Sequence, residues 1–189
     1  MSADDDKAAL RREARKVRRK SFRSHGPEAA QSLSRHLVAV LENQPVVNVA
    51  GYWAVGSEID LTPLMNALDE EGWTIALPAV VENDAPLIFR RWRQGDALIE
   101  GPLRTRQPAP DCEEVIPDVI LTPLLAFDDA RYRLGQGGGF YDRTLEKLKN
   151  REGGVLSIGV AFSAQRVEAV PRDRYDQQLD MIVTEKGRM

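Results

Sequence analysis

The amino-terminal part of the chain carries two apolar patterns typical of helices, separated by a short break. Residues 7–23 contain neither glycine nor proline, and Leu10, Ala14 and Val17 recur at the spacing of one helical face. Residues 25–27, a His-Gly-Pro tripeptide, interrupt the pattern, and their proline suits the first turn of a second helix. We therefore expect a basic helix over about 7–23 and a second helix that buries a row of leucines.

After residue 45, short apolar runs alternate with helical stretches. Several of these runs are apolar on both faces, which indicates a sheet covered by helices on both sides. We therefore predict an α/β fold with a largely parallel sheet, in one domain spanning residues 1–189. The predicted strands comprise residues 46–53, 73–77, 87–92, 119–125, 155–162 and 180–184, and the predicted helices between them residues 62–72 and 141–149.

Two features interrupt this alternation of strands and helices. Pro78 is expected to end the strand that begins at Trp73, because proline cannot donate a hydrogen bond to a neighbouring strand. Residues 94–117 are rich in glycine, proline and charge and show little periodicity, so we expect a long connection there. Connections of this length inside a compact domain are often functional.

The composition excludes several classes of protein. The chain has 189 residues, of which 42% are hydrophobic and 29% charged, values typical of one globular domain. No apolar run reaches the roughly 18 residues that a membrane helix needs, and the acidic start resembles no secretory signal. The single Cys112 excludes an internal disulfide and a multi-cysteine zinc site. We therefore expect a cytoplasmic monomer with no membrane partner.

The net charge of −3 is unevenly distributed along the chain. Residues 1–23 carry nine lysines and arginines against four acidic residues, whereas the remainder carries 17 basic and 25 acidic residues. The basic segment allows an RNA-binding hypothesis, but the acidic remainder would repel phosphate backbones. A local anion site fits this distribution better, and we expect no nucleic-acid partner.

Residues 127–143 (FDDARYRLGQGGGFYDR) form the segment with the most distinctive chemistry. They follow a buried strand and lead into a helix, at the edge of the sheet where α/β proteins bind ligands. Four glycines in five positions let backbone N–H groups approach an anion, and the following helix adds free N–H donors. Arg133 supplies a guanidinium suited to phosphate, and Asp142 supplies a hard oxygen ligand suited to Mg²⁺.

Two common phosphate-binding motifs are absent from this segment. It contains no G-x-x-x-x-G-K-[ST] sequence, and Phe140 stands where a dinucleotide fingerprint has its third glycine. A flexible surface loop is the alternative interpretation, since glycine clusters are common in such loops. Because Arg133 and Asp142 bracket the glycines, we favour phosphate binding.

The same segment closely resembles the signature of a known family. Residues 133–143 (RLGQGGGFYDR) are similar to the signature of the 5-formyltetrahydrofolate cyclo-ligases, also called 5,10-methenyltetrahydrofolate synthetases. Three further segments match in the same order: the basic residues 7 and 11, residues 58–60 (EID) and residues 171–180 (PRDRYDQQLD). Four ordered matches over nearly the whole chain are far more specific than any one of them.

The resemblance implies a fold and a reaction. The implied fold is a three-layer α/β/α sandwich. The implied reaction is the irreversible cyclisation of 5-formyltetrahydrofolate to 5,10-methenyltetrahydrofolate, with ATP as co-substrate, Mg²⁺ as cofactor, and ADP and phosphate as products. In the implied mechanism the formyl oxygen is phosphorylated, folate N10 attacks the activated carbon, and phosphate leaves. The protein then has to supply positioning and charge neutralisation rather than a covalent intermediate.

The resemblance also implies roles for individual residues. Arg133 and Asp142 are the expected catalytic residues, Asp142 and Asp176 are the expected Mg²⁺ ligands, and Asp180 is left open. The expected ATP-binding residues are Lys7, Arg11, Arg133, Leu134, Gly135, Gln136, Gly137, Gly138, Gly139, Phe140 and Tyr141. The expected folate-binding residues are Trp53, Glu58, Gln136, Gly137, Gly138, Gly139 and Phe140. The folate partner can carry a polyglutamate tail.

The residue types suit these roles. Lys7 and Arg11 lie four residues apart on one helix face, so both can reach the same polyphosphate. Glu58 is an acceptor when it is ionised and can hold the N–H edge of a reduced pterin. Trp53 offers an aromatic surface to the folate rings, with core packing as its alternative role, and Tyr52 is expected to be structural.

At four positions the chain departs from the family pattern. Arg131 stands where many members have glycine, Gln136 and Gly138 replace basic residues of some members, and Phe140 replaces a common tyrosine. These departures leave the geometry of the loop and its affinity for substrates open. A divergent member that binds nucleotide or folate without turnover is therefore the alternative hypothesis.

Overall fold

The structure is a computed structural model that describes residues 3–42, 48–102 and 105–189. The helices are α1 (Ala3–Leu41), α2 (Thr62–Glu70) and α3 (Phe140–Lys149), with a short 3₁₀ turn at Ser163–Gln165. The strands are β1 (Asn48–Ala50), β2 (Thr74–Ala79), β3 (Ile88–Arg91), β4 (Leu98–Glu100), β5 (Arg106–Pro108), β6 (Val119–Pro123), β7 (Ala126–Phe127), β8 (Arg133–Leu134), β9 (Leu156–Ala161), β10 (Met181–Thr184) and β11 (Gly187–Arg188).

A seven-stranded sheet forms the centre of the protein. Its strand order is β11-β10-β9-β6-β1-β2-β3, and the five inner strands run parallel to one another. The edge strands β3 and β11 are antiparallel to their neighbours. The prediction of a mostly parallel sheet is confirmed, and the carboxyl ends of the five inner strands all lie at one edge of the sheet.

Helices cover both faces of this sheet. On one face Leu37 of α1 and Leu64 of α2 share an apolar core with Leu121 of β6. On the other face Leu145 of α3 shares a core with Ile120, the preceding residue of the same strand. Neighbouring residues of a strand point to opposite faces, so β6 is apolar on both sides. The three-layer α/β/α architecture is thereby confirmed.

α1 contains both of the helices predicted in the amino-terminal part of the chain. It begins at Ala3, ahead of the predicted start, and kinks at His25, where φ is −160° and ψ is 30°. Pro27 follows the kink, in the first turn of the second part, where its missing N–H costs no hydrogen bond. Among the described residues, no helix is both long enough and apolar enough to cross a membrane.

One prediction about the middle of the chain was wrong. β2 does not end before Pro78 but continues through it, and Pro78 pairs with Phe89 of the edge strand β3. Proline is tolerated in this position because β1, the neighbour on the other side of β2, pairs only as far as Ala50 opposite Ala76, so β1 needs no N–H donor from position 78. The connection 94–117 also contains a hairpin, β4–β5, whose strands of three residues each are too short to show a period.

The strand predicted over 46–53 is also shorter than expected. β1 covers only Asn48–Ala50, while residues 46 and 47 lie outside the described residues. A second small hairpin was missed as well, because β7 and β8 have two residues each. In this hairpin Phe127 lies opposite Arg133, so the chain turns back after β6 and holds Arg133 beside a buried strand.

Gly159, in β9, makes the core sensitive to one added methyl group. A Cβ at this position would lie 2.5 Å from Cδ1 of Ile182 and 2.7 Å from Cδ1 of Leu179. We expect Gly159→Ala to lower the free energy of unfolding by about 1–3 kcal/mol, measured by urea denaturation. Ile182→Val removes the nearest methyl group, so the double variant should lose less than the two single losses combined. Simple additivity would contradict this account of the packing.

Candidate active site

One face of the first half of α1 directs cations toward the rest of the protein. Lys7, Arg11, Arg15 and Arg18 follow one another at intervals of three or four residues, the spacing of one helical face. Lys7 and Arg18 are buried, with 7% of each residue exposed. Because a buried charge is costly unless it is paired, Lys7 and Arg18 require acceptors from other segments.

Lys7 contacts two carboxylates of the carboxyl-terminal segment. Its ammonium donates to Oδ2 of Asp173 at 2.8 Å and to Oδ2 of Asp176 at 2.6 Å. Burial by itself would lower the pKa of Lys7, but the two carboxylates outweigh this effect and raise that pKa above its ordinary value. The contact with Lys7, together with the N–H of Tyr175, lowers the pKa of Asp173.

Arg133 and Asp142 form a second ion pair. Nη2 of Arg133 donates to Oδ1 of Asp142 at 2.9 Å, and the Arg133 side chain is only 3% exposed. The N–H of Gln177 donates to the same oxygen at 3.0 Å, and the Gln177 carbonyl accepts from Nη1 of Arg133. Since Gln177 directly follows Asp176, the two predicted metal ligands belong to one local network.

α1 also contacts the glycine-rich loop. Nε of Arg11 donates to the carbonyl of Gly135 at 3.0 Å, and Nη2 of Arg15 donates to Oε1 of Gln136 at 2.9 Å. Gly137 has a φ of 111°, which residues with a side chain rarely adopt, and a Cβ there would lie 3.4 Å from Cζ of Arg11. Glycine at this position therefore serves the backbone conformation, since a Cβ would only come into ordinary van der Waals contact with Arg11.

α3 begins directly at the end of this loop. Gly139 occupies the N-cap position with a φ of 66°, and no side chain caps the helix. The first N–H groups of α3 therefore have no partner within the helix and can face an anion. Arg143 lies beside them, where Nη2 donates to the carbonyl of Gly138 at 2.8 Å and the guanidinium lies over the ring of Phe140.

Glu58 lies in the loop after β1 and contacts the same face of α1. Its Oε1 accepts from Nη1 of Arg18 at 3.2 Å, and its Oε2 accepts from the N–H of Val55 at 2.9 Å. Arg18 also donates from Nε to Oγ of Ser57 at 3.2 Å. Burial raises the pKa of Glu58, although the Val55 N–H and the Arg18 charge oppose the rise.

Tyr141 connects this acceptor with the glycine-rich segment. Burial raises the pKa of Tyr141, the Glu58 charge raises it further, and the Arg133 charge lowers it. Tyr141 therefore lies within electrostatic range of both charged groups. Trp53 is half-buried, packs against the core and meets Trp92 edge-on at a ring separation of 6.0 Å.

Three residues discussed from the sequence have structural contacts of their own. Leu134 is 2% exposed, and its side chain belongs to a small apolar cluster, so only its backbone remains for a nucleotide. Asp180 accepts from the N–H and the hydroxyl of Ser157, at 2.7 and 2.6 Å, and this contact accounts for it without a metal. Tyr52 donates to the carbonyl of Ile59, a structural contact.

Residues at three of the departures from the family pattern find local partners. Arg131 has a φ of 63°, the left-handed conformation that favours glycine, and its Nε donates to the carbonyl of Leu179 at 3.1 Å. Gln136 accepts from Arg15, as described above, and the ring of Phe140 lies under Arg143. The loop therefore keeps a defined conformation despite these substitutions.

Asp142 and Asp176 offer hard oxygen donors without forming a dedicated metal cage. In the part of the chain that the structure describes, no group of three or more His, Cys, Asp or Glu side chains could hold a metal ion. Two carboxylates fit a Mg²⁺ ion that is bound largely through phosphate oxygens and water. Each carboxylate is paired with a cation, Asp142 with Arg133 and Asp176 with Lys7.

Three residues of this site were not predicted as part of it: Arg18, Asp173 and Gln177. Arg18 is one of many cations in the amino-terminal segment, and only its spacing from Lys7 along one helical face could have distinguished it. Asp173 lies 166 positions from Lys7, and Gln177 lies 35 positions from Asp142. No local sequence pattern signals contacts over such separations.

Comparison with known proteins gives a consistent result. A family model described as the 5-formyltetrahydrofolate cyclo-ligase family matches residues 3–185. The chain is 31% identical to the 5-formyltetrahydrofolate cyclo-ligase of Haemophilus influenzae, over 92% of this chain and 95% of the relative. It is 32% identical to the protein of the same name from Escherichia coli K12, over 88% and 95% of the two chains.

Two solved structures share the fold. The 5,10-methenyltetrahydrofolate synthetase of Mycoplasma pneumoniae aligns with a TM-score of 0.76 at 25% identity, over 95% of this chain and 99% of that one. The synthetase of Aquifex aeolicus aligns with a TM-score of 0.74 at 34% identity, over 96% and 91% of the two chains. Both similarities extend over nearly the whole α/β/α sandwich.

The Lys7 contacts predict a pH-dependent contribution to stability. The free energy of unfolding should fall in Lys7→Met at pH 7, by more than the ~0–1 kcal/mol of an exposed pair. The loss should stay below the ~3–5 kcal/mol of a fully buried pair, because the Asp173 side chain is 43% exposed. Because the pKa of Asp173 is lowered in the folded protein, its ion pair with Lys7 stabilises the fold at neutral pH. This stabilisation is lost as the pH falls through the pKa of Asp173 in the folded protein. The difference from wild type should therefore shrink on acidification.

Lys16→Met is the matched control for this measurement by urea denaturation across pH. Lys16 pairs with Glu13 on the outer face of the same helix, where their side chains are 71% and 67% exposed. We expect Lys16→Met to lower the free energy of unfolding by no more than about 1 kcal/mol at pH 7. If the two lysine variants lost the same free energy of unfolding, the Lys7 contacts would contribute no more than an exposed ion pair does.

Proposed function

The chain is an enzyme of the 5-formyltetrahydrofolate cyclo-ligase family, and we propose that it converts 5-formyltetrahydrofolate to 5,10-methenyltetrahydrofolate with ATP and Mg²⁺. ADP and phosphate are the other products, and the folate can carry a polyglutamate tail. The observation that carries the proposal is the contact between α1 and the glycine-rich loop, in which Arg11 donates to Gly135. This contact assembles the cations and free amides that a triphosphate needs.

In this proposal the triphosphate lies between α1 and the first turn of α3. Backbone N–H groups of residues 134–141 face its oxygens, and Lys7, Arg11 and Arg133 supply positive charge. Two of these cations are paired with carboxylates in the structure: Lys7 with Asp176, and Arg133 with Asp142. On binding of the magnesium nucleotide, each basic side chain can turn to phosphate and each carboxylate to the metal, so no charge loses its partner.

Asp142 and Asp176 are the residues that would hold Mg²⁺, which neutralises phosphate charge when it is bound. The support for this assignment is that both are acidic oxygen donors in one network, joined through the backbone of Gln177. Asp180 is left out of the site, because Ser157 holds its Oδ2 at the start of β9, at the edge of the sheet opposite to the carboxyl ends of the strands.

The folate lies toward the loop after β1. Glu58 accepts hydrogen bonds from the N–H edge of the reduced pterin, and Trp53 offers its ring to the folate. Residues 136–140 contact both substrates in this proposal, because one face of α1 meets their loop through Arg15 and the Glu58 loop through Arg18. The charges of Glu58 and Arg133 both affect the pKa of Tyr141, which supports its assignment to the region where the formyl group and the terminal phosphate meet.

The reaction then proceeds in two transfers. The formyl oxygen attacks the terminal phosphorus, and the bond from that phosphorus to ADP breaks. Next, folate N10 attacks the activated formyl carbon and loses its proton, and phosphate leaves with the former formyl oxygen. Arg133 and Asp142 are catalytic because they lie where charge develops and where the magnesium nucleotide is oriented. The residues of the site supply orientation and charge rather than a nucleophile.

We further propose that the enzyme acts in the cytoplasm as a monomer, without a nucleic-acid or membrane partner. The inner cations of α1 are engaged with Asp173, Asp176, Glu58 and the glycine-rich loop rather than with a binding face for RNA. The acidic excess of the remainder of the chain opposes polyanionic partners as well.

The activity predicts a direct optical signal. Purified protein mixed with 5-formyltetrahydrofolate and Mg-ATP should produce the ultraviolet absorbance of 5,10-methenyltetrahydrofolate. Omitting ATP, or chelating the metal with EDTA, should abolish the signal. Folded protein that stays silent in the complete mixture would contradict the proposal. If calorimetry then detected binding of folate or ATP, a family member that binds without turnover would be favoured.

Asp142 should be far more important for turnover than Asp180. We expect Asp142→Asn to lower kcat by about 100-fold or more, because it alters a metal ligand and the partner of Arg133 together. Asp180→Asn is the matched control, which should lower the midpoint of thermal unfolding while keeping kcat within about threefold of wild type. Similar kcat losses in both variants would refute the assignment of the metal site.

A further inference from the structure

Arg18 is a buried cation whose contacts all lead to the Glu58 loop. It donates to Oγ of Ser57 and to Oε1 of Glu58, each at 3.2 Å. The Arg18 and Glu58 side chains are 8% and 11% exposed, so solvent weakens their attraction little. Within the described residues, the hydrogen bonds of Arg18 go neither to the carboxyl-terminal carboxylates that Lys7 contacts nor to the glycine-rich loop that Arg11 contacts.

We propose that Arg18 is a positioning residue for folate, which holds the Glu58 carboxylate ionised and oriented so that it can accept from the pterin. This inference rests on the proposed function and adds a residue and a task to it. Arg18 touches neither substrate nor nucleotide in this scheme. It acts only through Glu58.

The geometry leaves Glu58 with capacity for a ligand. A carboxylate offers about four acceptor positions. Arg18 occupies one at Oε1, and the N–H of Val55 occupies one at Oε2. These two hydrogen bonds fix the orientation of the carboxylate, and each oxygen keeps one further acceptor position. This arrangement suits two parallel N–H donors at the edge of a pterin.

Burial works against this arrangement. It raises the pKa of Glu58, and the Val55 N–H and Arg18 are the groups that oppose the rise. Without Arg18 the pKa of Glu58 would rise further, and the carboxyl would be protonated at a higher pH. A protonated carboxyl has one acceptor oxygen fewer and a donor in its place, so it would bind the N–H edge poorly.

Tyr52, Tyr141 and Asp60 are the other titratable groups in the neighbourhood of Glu58. Tyr52, from the segment after β1, and Tyr141, from α3, both have a raised pKa because they are buried and lie near Glu58. Asp60, in the same loop, acts on Tyr52. Because the two tyrosines stay protonated at neutral pH, we assign an upward shift of the binding midpoint in a variant without Arg18 to Glu58.

The test is the pH dependence of folate affinity. The dissociation constant of 5-formyltetrahydrofolate is measured by calorimetry from pH 4.5 to 9, without ATP, for wild type and Arg18→Gln. We expect the variant to bind at least tenfold more weakly on the acidic side of its midpoint and to recover as the pH rises, with that midpoint at least one pH unit above the midpoint of wild type. Its affinity for Mg-ATP should stay within about twofold of wild type.

Two further variants separate positioning from a general structural effect. Arg19→Gln, one residue away on the exposed side of α1, should leave folate affinity and its pH dependence unchanged. Glu58→Gln should bind folate weakly at every pH, and adding Arg18→Gln to it should cause no further loss. Should Arg18→Gln fail to fold, Arg18→Lys serves in its place, because lysine keeps the positive charge but lacks the planar guanidinium. Arg18→Lys should shift the midpoint of folate binding upward by less than one pH unit.

The outcomes distinguish this inference from the function on which it rests. If wild type binds no 5-formyltetrahydrofolate at any pH, the proposed function fails and the inference with it. If wild type binds and an Arg18 variant loses folate and nucleotide affinity equally, with no shift of the midpoint, the role of Arg18 is structural and the inference alone is overturned. Additive losses in the Arg18 and Glu58 double variant would overturn it too.

Discussion

The pairing of buried charge along α1 is the constraint on which the site depends. Lys7 and Arg18 can be buried as cations only because carboxylates from other segments reach them. The resulting contacts join α1 to the carboxyl-terminal segment at one end and to the loop after β1 at the other. An apolar inner face would pack as well, but it would bring no functional groups together. The helix therefore organises the site through charge, in addition to the apolar contacts that Leu10 and Ala14 make with the cluster around Leu134.

The parallel sheet determines which loops meet α1. β1 and β6 are neighbours, with Ala50 opposite Ile120, so the loops that follow them leave the sheet side by side. The first loop carries Glu58, and the second leads through the β7–β8 hairpin to Arg133 and the glycines. The proposed folate and phosphate subsites are adjacent for this reason. Apolar packing on both faces keeps the strands, and with them the loops, in place.

The inner face of α1 shows where prediction from hydrophobicity failed. Leu10, Ala14 and Val17 formed the expected apolar stripe, and Ala14 is indeed 5% exposed. Val17, however, is 38% exposed, while Arg18 beside it is buried. Periodicity rules place residues inside according to their polarity, and they cannot anticipate a cation that is buried because a distant carboxylate pairs with it. The helix itself was predicted correctly, and the orientation of its polar residues was not.

The amino-acid sequence alone determined the fold class, most of the helices and strands, and the composition of the glycine-rich segment, because these follow from local periodicity and from the conformations open to glycine. It also placed Arg133 and Asp142 nine residues apart, close enough to meet across one turn of loop and helix. Only the tertiary structure decided which of the many cations of α1 face inward and which carboxylates pair with them. Those contacts depend on the strand order and on residues that are far apart in the chain. Neither the strand order nor a long-range contact produces a periodic pattern in the sequence.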